Sequence, residues 1–205
     1  MIKAIFFDFD GVLTLDASGS QSVCNYICAQ TGISKTLFAD AYKKYNPDLQ
    51  TGQRTHEDIW DSLCMDIGQP IDSDIRYDSF INTPMNLEML ELARQLKAND
   101  FSIGIITDNK TDRMKSIANH HGLYDIFDSI IVSAEIGSGK KQDHIFLKAF
   151  ESLAVSPQEC IFIDNKESNL VVPRNLGVAA IYFDHSKNDI SGLKQTLCEL
   201  DVLPA

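Results

Sequence analysis

Residues 4–14 read AIFFDFDGVLT. Four apolar residues, Ala4, Ile5, Phe6 and Phe7, run into two acids two positions apart, Asp8 and Asp10, and then into Gly11. An apolar run without polar alternation reads as a strand buried on both faces, as in a parallel sheet covered by helices. Acids at the end of such a strand bring like charge into a half-buried place, which raises a carboxyl pKa and costs stability. A bound cation or a transferred proton offsets that cost. The pair therefore reads as chemistry, and the rest of the chain is expected to hold its partners.

Similar runs recur. Strands are expected at Ile2–Phe9, Phe101–Thr107, Ile130–Val132, Cys160–Asp164 and Ala179–Phe183. Helical periodicity lies between and after them, at Glu88–Asn99, Asp112–His121, His144–Leu153, Ser168–Leu176 and Ile190–Leu200. This alternation predicts a doubly wound α/β domain around a parallel sheet. One stretch breaks the rhythm. From Asp16 to Thr83 there is no strong strand pattern, but there are three or four helix patterns. Ser34 and Thr55 stand at N-cap positions, and Asp58 follows Thr55 by three residues. The expected organisation is a core of residues 1–15 and 84–205, with a small helical cap inserted over 16–83.

The bulk properties bound the partners. A chain of 205 residues holds one sizeable domain, with room for an insertion. A formal net charge of −11 argues against nucleic acid and anionic membrane, which both reward clustered Lys and Arg. Any anionic ligand then needs a local basic site. No secretory signal or membrane span is apparent. Five cysteines form no paired framework and no zinc spacing, and Cys24 and Cys28 read as small core residues. A cytoplasmic protein is expected.

Three expected strands end in polar clusters: Asp8 and Asp10, then Thr107-Asp108-Asn109, then Asp164-Asn165. In a parallel sheet these ends share one edge, the edge at which open α/β sheets bind ligands. The third strand leads into SAEIGSGKKQDHIF, residues 133–146, which brings Lys140 and Lys141 ahead of a helix. A nucleotide-binding phosphate loop is excluded, because Ala134 occupies the position of its first Gly and Lys141 that of its Ser or Thr.

DFDGVLT, TDN, a lysine after EIG, and FIDN followed by Asn169 and Leu176-Gly177 resemble the four motifs of the haloacid dehalogenase-like superfamily. Order and spacing match over nearly the whole chain, most like small helical-cap phosphatases, including those that act on sugar phosphates. The resemblance implies a Mg²⁺-dependent phosphomonoester phosphatase acting on a small phosphorylated metabolite. Asp8 would be the nucleophile that forms an aspartyl-phosphate, and Asp10 the acid and base. Asp8, the Asp10 carbonyl and Asp164 would hold the metal. Thr107 and the amides near Asp108 and Asn109 would bind phosphate, and Lys140 would neutralise charge on phosphate and Asp8. Two departures mark this chain. Lys140, Lys141, Gln142 and Asp143 replace the Lys-Pro-Asp-Pro of many relatives, so Lys140 is assigned by spacing with Lys141 as runner-up. Asn165 replaces the second acid of the fourth motif and is a metal or neighbouring ligand with less charge. Arg54, on an expected cap turn, is a candidate substrate contact. A phosphomutase and a non-catalytic binding protein on the same fold stay open as alternatives, while Asp10 argues against a dehalogenase.

Overall fold

The structure, a computed structural model, describes residues 1–204. Its sheet has five strands: β1 (Ala4–Phe7), β2 (Ser102–Thr107), β3 (Ser129–Val132), β4 (Cys160–Asp164) and β5 (Ala179–Tyr182). All neighbours pair in parallel, in the order β3-β2-β1-β4-β5. The most apolar run in the chain, β1, takes the centre, and its four residues are buried. It ends at Phe7 rather than Phe9, because the Asp8 side chain accepts from the Phe9 amide at 2.7 Å and turns the backbone out of the ladder.

Alternate strand residues face two helical layers. Ile5, Phe7, Ile103, Ile105, Ile161 and Ile163 pack into the larger core, whereas Phe6, Ile106 and Phe162 pack against Phe146 and Phe150 on the other face. The helical segment supplies α1 (Gly19–Thr31), α2 (Lys35–Lys43), α3 (Asn46–Thr51), α4 (His56–Ile67) and α5 (Ser73–Ile81). After it come α6 (Leu87–Ala98), α7 (Thr111–His120), α8 (Leu123–Ile126), α9 (Ser133–Ile136), α10 (Asp143–Ser152), α11 (Glu167–Leu176) and α12 (Ile190–Glu199). Among the described residues no helix is long and apolar enough to cross a membrane.

The segment after β1 holds five helices, more than the periodicity resolves. Pro47 in the first turn of α3 and Gly52, left-handed at its end, mark off a six-residue helix too short to show a repeat. The caps form as expected. Ser34 accepts from the Leu37 amide at 3.1 Å, and Thr55 and Asp58 close a capping box. Trp60 is buried and donates to the Ile71 carbonyl, while Cys24 and Cys28 sit 3.9 Å apart as free thiols. The two connections to the sheet run side by side: the Leu15 amide donates to the Pro84 carbonyl and the Asn86 amide to the Leu13 carbonyl, each at 2.9 Å.

Candidate active site

Because β1 lies between β2 and β4, the residues that follow these three strands meet at one edge, where the strand order changes direction. Asp8, Thr107 and Asp164 are all buried there. Lys140 is 1% exposed, and its ammonium bridges two carboxylates, 2.7 Å from Asp8 Oδ1 and 2.7 Å from Asp164 Oδ2. Lys141 lines the same cavity but makes neither contact.

Asp8 is held by one oxygen. Oδ1 accepts from Lys140 and from the Phe9 amide, while Oδ2 has no protein partner among the described residues. Burial, helped by the neighbouring Asp164 charge and opposed by Lys140, pushes the Asp8 carboxyl up to about 7. Burial works against the Lys140 ammonium, but Asp8 and Asp164 outweigh it and raise that pKa. With all three groups ionised, the buried cluster carries one surplus negative charge.

Asp164 is saturated by donors. Oδ1 accepts from the Lys166 amide at 2.7 Å and Oδ2 from Lys140, and the Asn169 amide reaches both oxygens at 3.2 and 3.1 Å. Next to it, Asn165 Oδ1 is buried without a partner. Its side chain rests on Gly11, which is left-handed (φ +84°), and any Cβ there would strike it. A buried, orphaned amide oxygen on the residue next to Asp164, at the edge where Asp8 also lies, suits a hard, oxygen-preferring dication such as Mg²⁺. Among the described residues no group of three or more His, Cys, Asp or Glu is arranged to hold a metal ion.

Asp10 has a partner that the sequence reading missed. Arg113, fully buried on α7, forks onto its carboxylate, with Nη1 3.0 Å from Oδ2 and Nη2 2.9 Å from Oδ1. Asn109 Nδ2 adds a third donor to Asp10 at 2.8 Å, and Arg113 also reaches Asn109 Oδ1 and Thr83 Oγ1. The inner face of α7 is otherwise Met114, Ile117 and Ala118. A charged residue one turn ahead of Ile117 on that apolar stripe was the available signal. Gly19 permits the fork, since a Cβ there would overlap the guanidinium.

Two expected roles change. The Asn109 amide donates to Ser133 Oγ at 3.0 Å and its side chain serves Asp10, so it is not free for phosphate. Arg54 is not brought to the site. It donates to the Asp58 carbonyl at 2.8 Å and lies over the Tyr45 ring, and the helical segment sends Ser20 and Gln50 to the cavity instead. Thr107 and Asp108 do line the cavity, although Asp108 Oδ1 also accepts from the Lys140 amide at 2.9 Å. The cavity is about 230 Å³ and includes four lysines, Lys110, Lys140, Lys141 and Lys166. That is the local basic site an anionic ligand needs in so acidic a chain.

A polar seam joins the helical segment to α7. His56, wholly buried, lies 2.8 Å from Asp112 through Nδ1 and 2.7 Å from the Tyr42 hydroxyl through Nε2. Burial lowers the His56 pKa, so the neutral ring donates to Asp112 and accepts from Tyr42.

The chain belongs to the haloacid dehalogenase-like hydrolase family, whose model matches residues 2–177. It is 29% identical over 204 residues to the glyceraldehyde 3-phosphate phosphatase of Pyrococcus furiosus, covering 91% of this chain and 82% of that one. It is also 29% identical over 207 residues to bifunctional epoxide hydrolase 2 of Rattus norvegicus, where 88% of this chain spans only 36% of the larger protein. Among solved structures, a HAD-family enzyme of Bacteroides thetaiotaomicron, crystallised with magnesium and inorganic phosphate, superposes with a TM-score of 0.70 at 18% identity, covering 89% of this chain and 94% of that one. The doubly wound parallel fold is thus shared at low identity.

Proposed function

We propose that this chain is a Mg²⁺-dependent phosphatase of small phosphorylated metabolites, working through an aspartyl-phosphate on Asp8. The observation that carries the reading is Lys140 wedged between Asp8 and Asp164 at the floor of a lysine-lined cavity, with Asp8 Oδ2 unengaged. Oδ2 attacks phosphorus while Lys140 holds Oδ1 and balances charge on the incoming phosphoryl group. Thr107 presents a hydroxyl to that group. Asp8, Asn165 and the Asp10 carbonyl would hold Mg²⁺, with Asp164 behind them, and the ion supplies the charge neutralisation that lets a carboxylate approach a phosphate dianion. The phosphatase relative and the magnesium and phosphate complex of the structural neighbour support this assignment.

Asp10 completes the cycle. Fixed by Arg113 and Asn109, its carboxylate is poised as the base that takes a proton from the water attacking the intermediate. Donation to the leaving alcohol needs one of its oxygens released from the guanidinium. Residues 16–83 act as the cap, hinged at the paired connections near Leu15 and Pro84.

The test is hydrolysis of p-nitrophenyl phosphate with and without Mg²⁺. Activity is expected only with the metal and should fall roughly 10⁴-fold or more in Asp8→Asn. Turnover that survives that substitution, or that needs no divalent ion, rules the reading out.

A further inference from the structure

We propose that Lys110 is a second anion-binding residue of the cavity, selecting phosphate esters whose body carries a further carboxylate or phosphate. The proposal rests on the phosphatase reading above and adds a substrate class to it. Lys110 is 3% exposed and stands just ahead of α7, on the cavity wall that faces the helical segment. Its backbone amide donates to Asn109 Oδ1. Its ammonium has no hydrogen bond and no carboxylate within 4.0 Å among the described residues. The nearest favourable group is the face of Tyr42, 5.9 Å away on α2.

The other two buried cations of this edge show what a cation paired within the chain looks like. Lys140 has two carboxylates, and Arg113 has one, bound through both of its terminal nitrogens. Buried charges are paired or else costly, and a ring face does not replace an anion. Consistent with that, burial and the nearby Arg113 push the Lys110 ammonium down to about 8. The missing partner has to come from outside the chain, through the cavity that Lys110 lines. The phosphoryl group under attack is already served by Lys140 at Asp8. The free charge of Lys110 lies toward Tyr42, on the side from which the helical segment encloses the ester body. Tyr42 cannot swing aside easily, because His56 holds its hydroxyl and Phe38 stacks on its ring. A buried cation on the cavity wall with no carboxylate to pair it favours an anionic group over a neutral one.

Three esters with the same three-carbon body separate the cases: propyl phosphate, 3-phosphooxypropanoate and propane-1,3-diyl bisphosphate. Calorimetric binding of each to the Asp8→Asn protein in Mg²⁺ buffer is the measurement. The two esters with a second anion are expected to bind about tenfold tighter than propyl phosphate, the size of one charge-assisted hydrogen bond. A preference for one of them alone identifies which anion Lys110 takes. Lys110→Met in the same background should reduce the ratio to about threefold or less, and Lys110→Arg should retain it. Equal binding of all three esters by the protein that keeps Lys110 overturns the proposal, as does a ratio that survives Lys110→Met. Hydrolysis of the same esters by the protein with Asp8 intact is scored separately. If neither these esters nor p-nitrophenyl phosphate is hydrolysed the phosphatase reading fails, and the binding order still decides the role of Lys110.

Discussion

The two sides of the catalytic edge hold buried cations in opposite balance. On one side Lys140 faces two carboxylates, Asp8 and Asp164. On the other, Arg113 faces one, Asp10, with two parallel hydrogen bonds, Asn109 and Thr83 also accept from its terminal nitrogens, and Nε is buried without a partner. Both sides are buried, so the difference is one of charge. The Lys140 side has a surplus negative charge that a proton or dication relieves, whereas the charges of Asp10 and Arg113 balance. The unbalanced cluster is a place to bind a cation, and the balanced pair holds Asp10 in place at the cavity wall.

Substitution of Arg113 should produce the largest loss of stability. Arg113→Met leaves Asp10 buried and uncompensated, which typically costs about 3–5 kcal/mol. Urea denaturation reads this directly. The double variant Asp10→Asn/Arg113→Met should recover part of the loss, because no charge is then left alone. If Arg113→Met is neutral, the two sides do not differ as described.

Asp8→Asn sharpens the contrast in the opposite direction. Burial raises the folded-state pKa from 3.8 to about 7, so the folded protein retains a proton that the unfolded chain has already released. The unfolded state binds fewer protons across that window, and stability falls as pH rises from about 4 to about 7. The amide has no such slope. In divalent-free buffer Asp8→Asn should match the natural protein near pH 4 and exceed it by a margin that grows toward pH 7. The measurement is the urea midpoint at several pH values, and parallel profiles for the two proteins would contradict a surplus charge at Asp8.

The smallest expected effect concerns Asn165. Its orphaned oxygen is neutral, and Asn165→Asp places a full charge where a dication would gain from it. The Mg²⁺ concentration for half-maximal hydrolysis should drop by about two- to tenfold, since charge count tunes such sites. Asn165→Ala should raise it. With the Asp164 oxygens already engaged by Lys140, Lys166 and Asn169, Asp164→Ala is expected to disturb Lys140 as well as the metal. If Asn165→Ala leaves the magnesium dependence unchanged, the amide takes no part.

Much of this was readable before any fold was known. The five apolar runs become the five strands, and the central β1 and β4 are buried throughout while the edge strands β3 and β5 are only partly covered. Asp8 and Asp164 stand out because a charged residue that ends a buried strand needs a reason, whereas Lys140 is singled out only by its spacing within the family resemblance. The caps at Ser34 and Thr55 are equally local, as each depends on an amide three residues away. Tertiary structure alone decided which distant groups pair. Nothing within a few residues of Asp10 announces that Arg113, 103 positions later, takes both its oxygens. The order β3-β2-β1-β4-β5 is what brings the ends of β2 and β4 to the two sides of Asp8. Arg54 and Lys110 are both basic residues near helix starts, yet one lies along Tyr45 at the surface and the other is sealed in the cavity. Local sequence sets propensity and burial pattern through neighbours a turn away. Pairing between groups far apart in the chain depends on strand order and helix packing, which set their distance.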